Sequence, residues 1–143
     1  MSDPRITVSE RSERGGRRCA SSGSPWEPIV GYSRAVRTGN VIAVSGTVGA
    51  NTDGSYASSL AEQTRRALEI IRAALEALGG RLEHVTRTRI FVTDISRWEE
   101  AAAVHGKVFA EIRPATTMVE VARLIDAAAL IEIEADATLP AGA

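Results

Sequence analysis

The stretch "LIEIEADA", residues 130–137, alternates apolar and acidic side chains. Because successive side chains of a strand point to opposite faces, Glu132, Glu134 and Asp136 share one face. The other face carries Ile131, Ile133, Ala135 and Ala137. The apolar face predicts a sheet that packs against helices. The carboxylate row either contacts water or includes a residue with a chemical role.

The composition indicates one folded domain. With 143 residues, the chain can bury a core without disulfides or metal. Seventeen basic and 18 acidic residues nearly cancel, which argues against a protein that mainly binds nucleic acid. Cys19 is the only cysteine, and His84 and His105 lack the spacing of metal ligands. No apolar run reaches the length of a membrane span and no signal peptide is recognisable, so we expect a cytoplasmic protein.

The first 24 residues differ in composition from the rest of the chain. They are rich in Ser, Gly and Arg, and Ile6 and Val8 are their only large aliphatic residues. This composition predicts a mobile leader, residues 1–24, ahead of a single domain over residues 25–140. Its five arginines could contact RNA or an acidic partner, but three acidic residues lie among them, and a solvated tail is the simpler interpretation.

The first half of the domain predicts a hairpin and a helix. Residues 32–36 and 41–46 are β-like runs joined by a Gly-Asn turn, which predicts a β-hairpin. Apolar residues then recur on one stripe of a helix that begins after Ser59 and ends at a Gly-Gly pair. Ser59 and Glu62 have the spacing of a capping box.

The second half predicts a strand over 84–95, a helix capped by Ser96 and a strand over 116–121, followed by the LIEIEADA strand. The resulting order, ββ-α-β-α-ββ, predicts an α+β fold with one mixed sheet and both helices on a single face. The opposite face would then carry many charged residues: Arg87, Arg89, Glu132, Glu134, Asp136 and, as a further candidate, Glu120, mixed with Phe91 and either Val119 or Met118. A bare face of this kind suggests a subunit interface, so we expect an oligomer.

Three local features have two interpretations each. Ser45-Gly46 ends a strand, and offers a ligand a hydroxyl and a backbone N–H or serves only as a strand end. Tyr32 is a core aromatic with a solvated hydroxyl or a ligand contact. His105 lies on the apolar stripe of the second helix, where a hydrogen-bonded core histidine is the simpler interpretation.

Five stretches in order carry a resemblance: VGYSRAV, NVIAVSGTVG, RTRIFVTDIS followed by Trp98, RPATTMVEVA and LIEIEADA. Together, over about residues 26–138, they resemble the Rid family (YjgF-type, reactive intermediate deaminases). The resemblance implies a chorismate-mutase-like subunit assembled as a homotrimer, with small-molecule ligands in clefts between subunits. The best-known members hydrolyse enamines and imines such as 2-aminoacrylate to keto acids and ammonia, without a cofactor.

The resemblance also implies roles for individual residues. Glu132 corresponds to the carboxylate that positions or activates the attacking water. Tyr32 would lie near the nitrogen end of the substrate, and Gly46 would direct its backbone N–H toward the ligand, supported by Ser45. The backbone around Met118 matches a carbonyl that contacts the amine or water. Trp98 matches a wall of the cleft that often comes from the neighbouring subunit.

One position departs from the family pattern. Deaminases of this type have an arginine, which clamps the substrate carboxylate, where this chain has Thr116. Loss of that charged fork weakens carboxylate binding by about 2–5 kcal/mol. Arg89 could compensate from the face that carries Glu132, or it could instead form a salt bridge between subunits. Arg113 is close in sequence but at a predicted helix end.

Two functions therefore remain open. The first is a hydrolase of enamines or imines whose substrate is atypical because the clamp is absent. The second is a non-catalytic, trimeric ligand-binding or regulatory protein of the same fold. Ribonuclease activity, known for some family members, has little support, since the folded part has no basic stripe with interleaved aromatics.

Overall fold

A computed structural model describes residues 2–11 and 16–143, with side chains described for 2–9 and 16–143. Within these residues the chain forms one sheet and three α-helices. The elements are β1 (Thr7–Arg11), β2 (Arg17–Ser21), α1 (Trp26–Val30), β3 (Ala35–Thr38), β4 (Val41–Val48), α2 (Leu60–Ala77), β5 (Val85–Val92), α3 (Trp98–Phe109), β6 (Ala115–Glu120) and β7 (Ile131–Thr138). Short 3₁₀ turns at Leu82–His84 and Ile95–Arg97 precede β5 and α3.

The sheet has the strand order β1-β2-β3-β4-β7-β5-β6. Its neighbours are antiparallel except β5 and β6, which are parallel. The predicted mixed sheet and β3–β4 hairpin are therefore confirmed, and α2 and α3 pack with the sheet into one core. The short helix α1 is additional to the prediction. In the described part of the chain, no helix combines the length and apolarity needed to cross a bilayer.

The amino-terminal segment differs from the mobile leader that its composition predicts. Strand β2 pairs with β3 and β1 pairs with β2, so residues 7–11 and 17–21 extend the sheet. Cys19 and Ala20 are buried by this pairing. Such strands cannot be recognised from composition, because backbone hydrogen bonds rather than large apolar side chains attach them to the sheet. Residues 1 and 12–15 of the predicted leader, including Arg14, lie outside the described residues.

The helix starts are set by short polar side chains. Ser59 caps α2 as predicted, since its Oγ accepts from the Glu62 N–H at 3.1 Å. The prediction of Ser96 as the cap of the second helix is wrong. Asp94 Oδ1 instead accepts from the Ser96 N–H and hydroxyl, at 3.0 and 2.6 Å. The chain therefore enters α3 through a 3₁₀ turn, a detail that helical periodicity does not reveal.

The central strand β7 separates the two faces of the sheet as its alternation predicts. Its apolar side chains, Ile131, Ile133, Ala135 and Ala137, are buried beneath the helices, and its three carboxylates are partly exposed on the other face. Val119 lies on the exposed face, whereas Met118 packs toward the core. The candidate Glu120 does not join the carboxylate face, because its Oε1 accepts from the Ile95 N–H at 3.1 Å.

A buried amide fixes where β7 begins. The Gln63 side chain is 1% exposed, and its Nε2 donates to the carbonyls of Ala57 and Ala128 at 2.8 and 3.0 Å. Its Oε1 accepts from the Leu130 N–H at 2.8 Å. One side chain of α2 therefore satisfies three backbone groups of two loops, and one of these groups directly precedes β7.

We expect Gln63→Leu to lower the free energy of unfolding by about 3 kcal/mol, because buried backbone groups lose their partners while the size of the side chain is kept. Urea unfolding at one chain concentration measures this. Glu76→Leu, at an exposed position of the same helix, is the matched control and should change stability by about 0.5 kcal/mol or less. Equal midpoints for the two variants would contradict the role given to Gln63.

Candidate active site

The predicted site residues other than Ser45 and Arg89 fall into two groups. The first, which we call the carboxylate cluster, consists of Glu132, Gly46, Arg34, Tyr32 and Tyr56. The second lies beside α3 and is described further below. Glu132, Gly46 and Tyr32 are site residues predicted from the sequence, whereas Arg34 and Tyr56 are not.

An irregularity in β4 brings Gly46 against Glu132. The β4–β7 register shifts between Val44 and Thr47, so Ser45 and Gly46 form a bulge. A Cβ at Gly46 would lie 2.9 Å from Glu132 Cδ and 3.0 Å from its Oε1. The carboxylate therefore rests on the glycine backbone, and a side chain at position 46 would displace it. The Ser45 hydroxyl donates to the Ser33 carbonyl at 2.6 Å, which ties the bulge to the residues that precede β3.

A buried arginine fixes the other side of the bulge. Arg34 is almost fully buried, and its Nη1 donates to the Gly46 carbonyl and to Thr47 Oγ1, each at 2.9 Å. Its guanidinium carbon lies 5.4 Å from the centre of the Tyr32 ring, a cation–π distance. Arg34 therefore links Tyr32 to the bulge. In the sequence it is only one of 16 arginines, and no pattern marks it as buried.

The environment of Glu132 makes its carboxylate more basic than usual. Burial raises the pKa of Glu132, the nearby charge of Arg34 lowers it, and Glu134 raises it further; the net direction is upward. Burial also raises the pKa of Tyr56, and the charges of Asp126 and Glu132 add to this. A phenol that keeps its proton therefore lies near a carboxylate that accepts one readily.

The second group lines a cavity of about 410 Å³ beside α3, which we call the α3 cavity. Its lining residues are Ile90, Ile95, Trp98, Ala102, His105, Gly106, Thr116 and Met118. Three of these, Trp98, Thr116 and Met118, are predicted site residues. The structure therefore brings them together, although they come from α3 and β6.

A chain of hydrogen bonds forms the polar end of the α3 cavity. His105 Nε2 lies 2.9 Å from Thr88 Oγ1, which lies 2.8 Å from Thr116 Oγ1. The ring of His105 packs on Phe109, with 4.6 Å between ring centres. The predicted hydrogen-bonded histidine is confirmed, but His105 is half-buried and borders a cavity rather than lying inside the core. Burial lowers its pKa, so the imidazole is neutral at neutral pH.

The two groups lie on opposite faces of the sheet. Glu132 pairs with Phe91 across β7 and β5, on the face away from the helices, whereas Thr116 pairs with the buried Thr88 on the helix side. Paired residues of neighbouring strands point to the same face. Within one chain, Glu132 and Thr116 therefore do not line a common site.

Arg89, the candidate for a compensating clamp, is on the same face as Glu132 but is paired elsewhere. Its Nη1 lies 3.2 Å from Asp136 Oδ2 and 3.5 Å from Glu134 Oε1. The salt bridge predicted between subunits is instead formed inside one chain, and one of its two carboxylates, Asp136, is not among the predicted partners.

Comparison with known proteins assigns this fold to a family. The profile of the family described as Endoribonuclease L-PSP matches residues 23–139. A crystal structure of a Mycobacterium tuberculosis member of the YjgF/YER057c/UK114 family is 50% identical, with a TM-score of 0.81 over 87% of this chain and 100% of that one. The chain belongs to the YjgF/Rid family.

Other YjgF/Rid proteins show a similar relation. The YjgF gene product of E. coli is 34% identical, with a TM-score of 0.70 over 75% of this chain and 87% of that one. A relative from Acinetobacter baylyi, named 3-aminoacrylate deaminase RutC, is 36% identical over 108 residues, which cover 74% of this chain and 85% of that protein. The family match begins at residue 23, so β1 and β2 precede the matched region.

The raised pKa of Glu132 predicts a stabilising substitution in this YjgF/Rid chain. Since the folded pKa lies above the unfolded value, the native state binds the proton more tightly. The resulting stability is fully present below the unfolded value of about 4.5 and is lost as pH rises through the raised pKa. At pH 7 the buried charge therefore destabilises the fold, and we expect Glu132→Gln to be more stable than wild type.

Urea unfolding at pH 7.5 and pH 4.5, at one chain concentration, measures this difference. The advantage of Glu132→Gln should shrink at the lower pH, where the wild-type side chain becomes neutral. Glu111→Gln, at an exposed glutamate, is the control and should show no such advantage. A Glu132→Gln protein less stable than wild type at pH 7.5 would show that the carboxylate is stabilised by its surroundings.

Proposed function

We propose that this protein hydrolyses enamines or imines to a carbonyl product and ammonia, in the cytoplasm and without a cofactor, on a substrate outside the usual 2-imino acids. The proposal rests on the environment of the Glu132 carboxylate. This group is partly buried, its pKa is raised, and it lies against Gly46. The name of the Acinetobacter relative, 3-aminoacrylate deaminase, supports the same reaction class.

The chemistry needs water placement and proton transfer rather than a covalent nucleophile. A protonated imine carbon is already electrophilic, so water bound to Glu132 attacks it while Glu132 accepts a proton from that water. The carbinolamine that results loses its amine when Glu132 returns the proton to nitrogen. The C–N bond breaks and ammonia leaves, while the carbinolamine hydroxyl gives its proton to Glu132 as the C=O bond forms. Glu132 then releases that proton to solvent. Tyr32 would bind near the nitrogen end and the Gly46 N–H near the developing oxygen.

We further propose that the site is completed by a neighbouring chain in a homotrimer. Glu132 and the α3 cavity lie on opposite faces of one sheet, so a site that uses both combines two chains. Trp98 and Met118 of one chain would form the wall opposite Glu132 of the next. Exposed apolar side chains at Val41 and Val119 give the carboxylate face surface to bury.

The decisive test is ammonia release from imines generated in situ by an amino-acid oxidase, from 2-aminoacrylate and from larger, less polar imines. We expect wild type to accelerate hydrolysis of at least one imine, and Glu132→Gln to lower kcat about 10²-fold or more, because the amide cannot accept the water's proton. Light scattering should give the same trimer mass for both proteins.

Asp136→Asn is the matched control. It removes a carboxylate that lies on the same strand and the same face as Glu132 but pairs with Arg89. It should keep most of the activity. No acceleration by wild type with any imine would reject the hydrolase and favour the non-catalytic ligand-binding trimer. Equal activity of Glu132→Gln and wild type would reject the role of Glu132.

The contact between Gly46 and Glu132 gives a second test. In Gly46→Ala the new Cβ displaces the end of a flexible side chain, so stability should fall by about 1 kcal/mol or less. Displacement of the carboxylate should lower kcat about 10²-fold, because catalytic geometry tolerates little misplacement. In a protein that already carries Glu132→Gln, Gly46→Ala should not lower kcat further.

Gly49→Ala is the contrasting variant. Its Cβ would lie 2.3 Å from the Gln63 carbonyl oxygen, which is backbone and cannot rotate away. We expect it to lose about 3 kcal/mol of stability or more, as an overpacked core position does. For the Gly46 variant of the preceding test, full activity of Gly46→Ala would contradict the proposal that catalysis depends on the carboxylate held against Gly46.

A further inference from the structure

We propose that the α3 cavity selects an uncharged, apolar ligand, and that His105 acts through Thr88 to position the Thr116 hydroxyl for a neutral polar group of that ligand. The substrate class is then the imine of an aliphatic or aromatic aldehyde or ketone without a carboxylate. The reaction part of this inference rests on the proposed function, whereas the ligand preference of the cavity stands by itself.

The wall of the cavity fits an apolar ligand. Five of its lining residues are apolar: Ile90, Ile95, Trp98, Ala102 and Met118. Its volume of about 410 Å³ lies in the range of small-molecule sites. Trp98 is 49% exposed although it is among the largest apolar side chains, so a ligand against it removes much apolar surface from water.

The cavity offers a carboxylate no counter-charge. Among the described residues that line it there is no Lys, Arg, Asp or Glu, and the one ionisable group is the neutral imidazole of His105. A carboxylate that enters loses its hydration and gains at most hydrogen bonds from neutral groups, which is unfavourable. Arg113, in the turn between α3 and β6, does not line the cavity.

The hydrogen-bond chain determines which polar group Thr116 can bind. When His105 Nε2 carries the proton, it donates to Thr88, Thr88 donates to Thr116, and the Thr116 hydroxyl is free to donate to a ligand. When Nε2 is unprotonated, all the hydrogen bonds reverse direction: Thr116 donates to Thr88 and Thr88 donates to His105. Thr116 can then offer a ligand only an acceptor. The alternative acceptor for Thr116, the Pro114 carbonyl at 3.3 Å, is a long contact that a ligand oxygen can replace.

Both directions of the chain suit neutral partners. A carbonyl or hydroxyl oxygen accepts from Thr116 in the first arrangement, and a hydroxyl or amide N–H of the ligand donates to it in the second. The ring of His105 is fixed by Phe109, so the relay needs only a change of tautomer, not a movement of the ring. His105 is therefore a positioning residue that acts through Thr88.

A binding experiment tests the preference without relying on turnover. Trp26→Phe leaves Trp98 as the only tryptophan, and its fluorescence reports occupation of the cavity. The full-length protein is titrated with 4-methyl-2-pentanone and with 4-methyl-2-oxopentanoate, which share a carbon skeleton but differ in a methyl group against a carboxylate. We expect the ketone to bind at least tenfold more tightly.

Substitutions at Thr116 test the polar end. Thr116→Val keeps the shape but removes the hydroxyl, and should weaken ketone binding about fivefold, the value of one neutral hydrogen bond. Thr116→Arg supplies the missing charge and should reverse the preference, with about 10²-fold tighter binding of the keto acid. Failure of Thr116→Arg to improve keto-acid binding would contradict the placement of the ligand's polar group.

Substitutions at His105 test the relay. His105→Phe keeps the contact with Phe109 but breaks the chain, and should weaken ketone binding as much as Thr116→Val does. His105→Gln restores a hydrogen-bonding group and should recover most of the affinity, which a purely structural role would not predict. Because both residues act on one hydroxyl, Thr116→Val with His105→Phe should be no weaker than Thr116→Val alone.

Three outcomes would overturn the inference. These are equal or tighter binding of the keto acid by wild type, no response of Trp98 to either ligand, and loss of keto-acid binding on Arg113→Ala, which would assign recognition to that arginine. The two proposals fail separately. Ketone binding without imine hydrolysis rejects the proposed reaction only, whereas imine hydrolysis with a carboxylate preference rejects this inference only.

Discussion

The pairing of β7 on both of its edges is the constraint on which the rest of the structure depends. Its backbone bonds to β4 on one side and β5 on the other, so its register is determined twice. A slip of one residue would move every carboxylate into the core and every isoleucine out of it, and burial of apolar surface excludes that arrangement. Gln63 sets the start of the strand through the Leu130 N–H. The position of Glu132 in the sheet is therefore a consequence of core packing.

The bulge in β4 changes this regular sheet into a site. It inserts Gly46 opposite the Glu132 side chain and turns the Gly46 carbonyl toward the buried guanidinium of Arg34. Burial of these two opposite charges is costly, and neither is paired directly with the other in the way that maximises stability. A cost in stability at this position is consistent with the proposed role of Glu132, since functional sites commonly hold perturbed groups at the expense of stability.

Much of the architecture could be predicted from period-two and period-3.6 patterns, because burial imposes those patterns on the core elements. The LIEIEADA strand, the β3–β4 hairpin and the helix after Ser59 are examples. The strands at residues 7–11 and 17–21 could not be predicted, since they are held by backbone pairing at the sheet edge and need few large apolar residues. Arg34 and Tyr56 could not be predicted as neighbours of Glu132 for a different reason. Their proximity to Glu132 depends on the bulge and on the loop after β4, and neither leaves a periodic signal.

Charge and apolar recognition are divided between the two faces of the sheet. The carboxylate face carries Glu132 with Arg34 beside it, whereas the α3 cavity ends in the neutral chain from His105 to Thr116. An arginine at position 116 would place a cation in that cavity, and the ligand would then need a matching anion. With threonine there, the described lining of the cavity offers a ligand no charge, and in the proposed site between two chains the carboxylate facing the ligand would be that of Glu132. That arrangement favours a ligand that is positively charged when protonated and otherwise apolar, which is the charge distribution of a simple iminium ion.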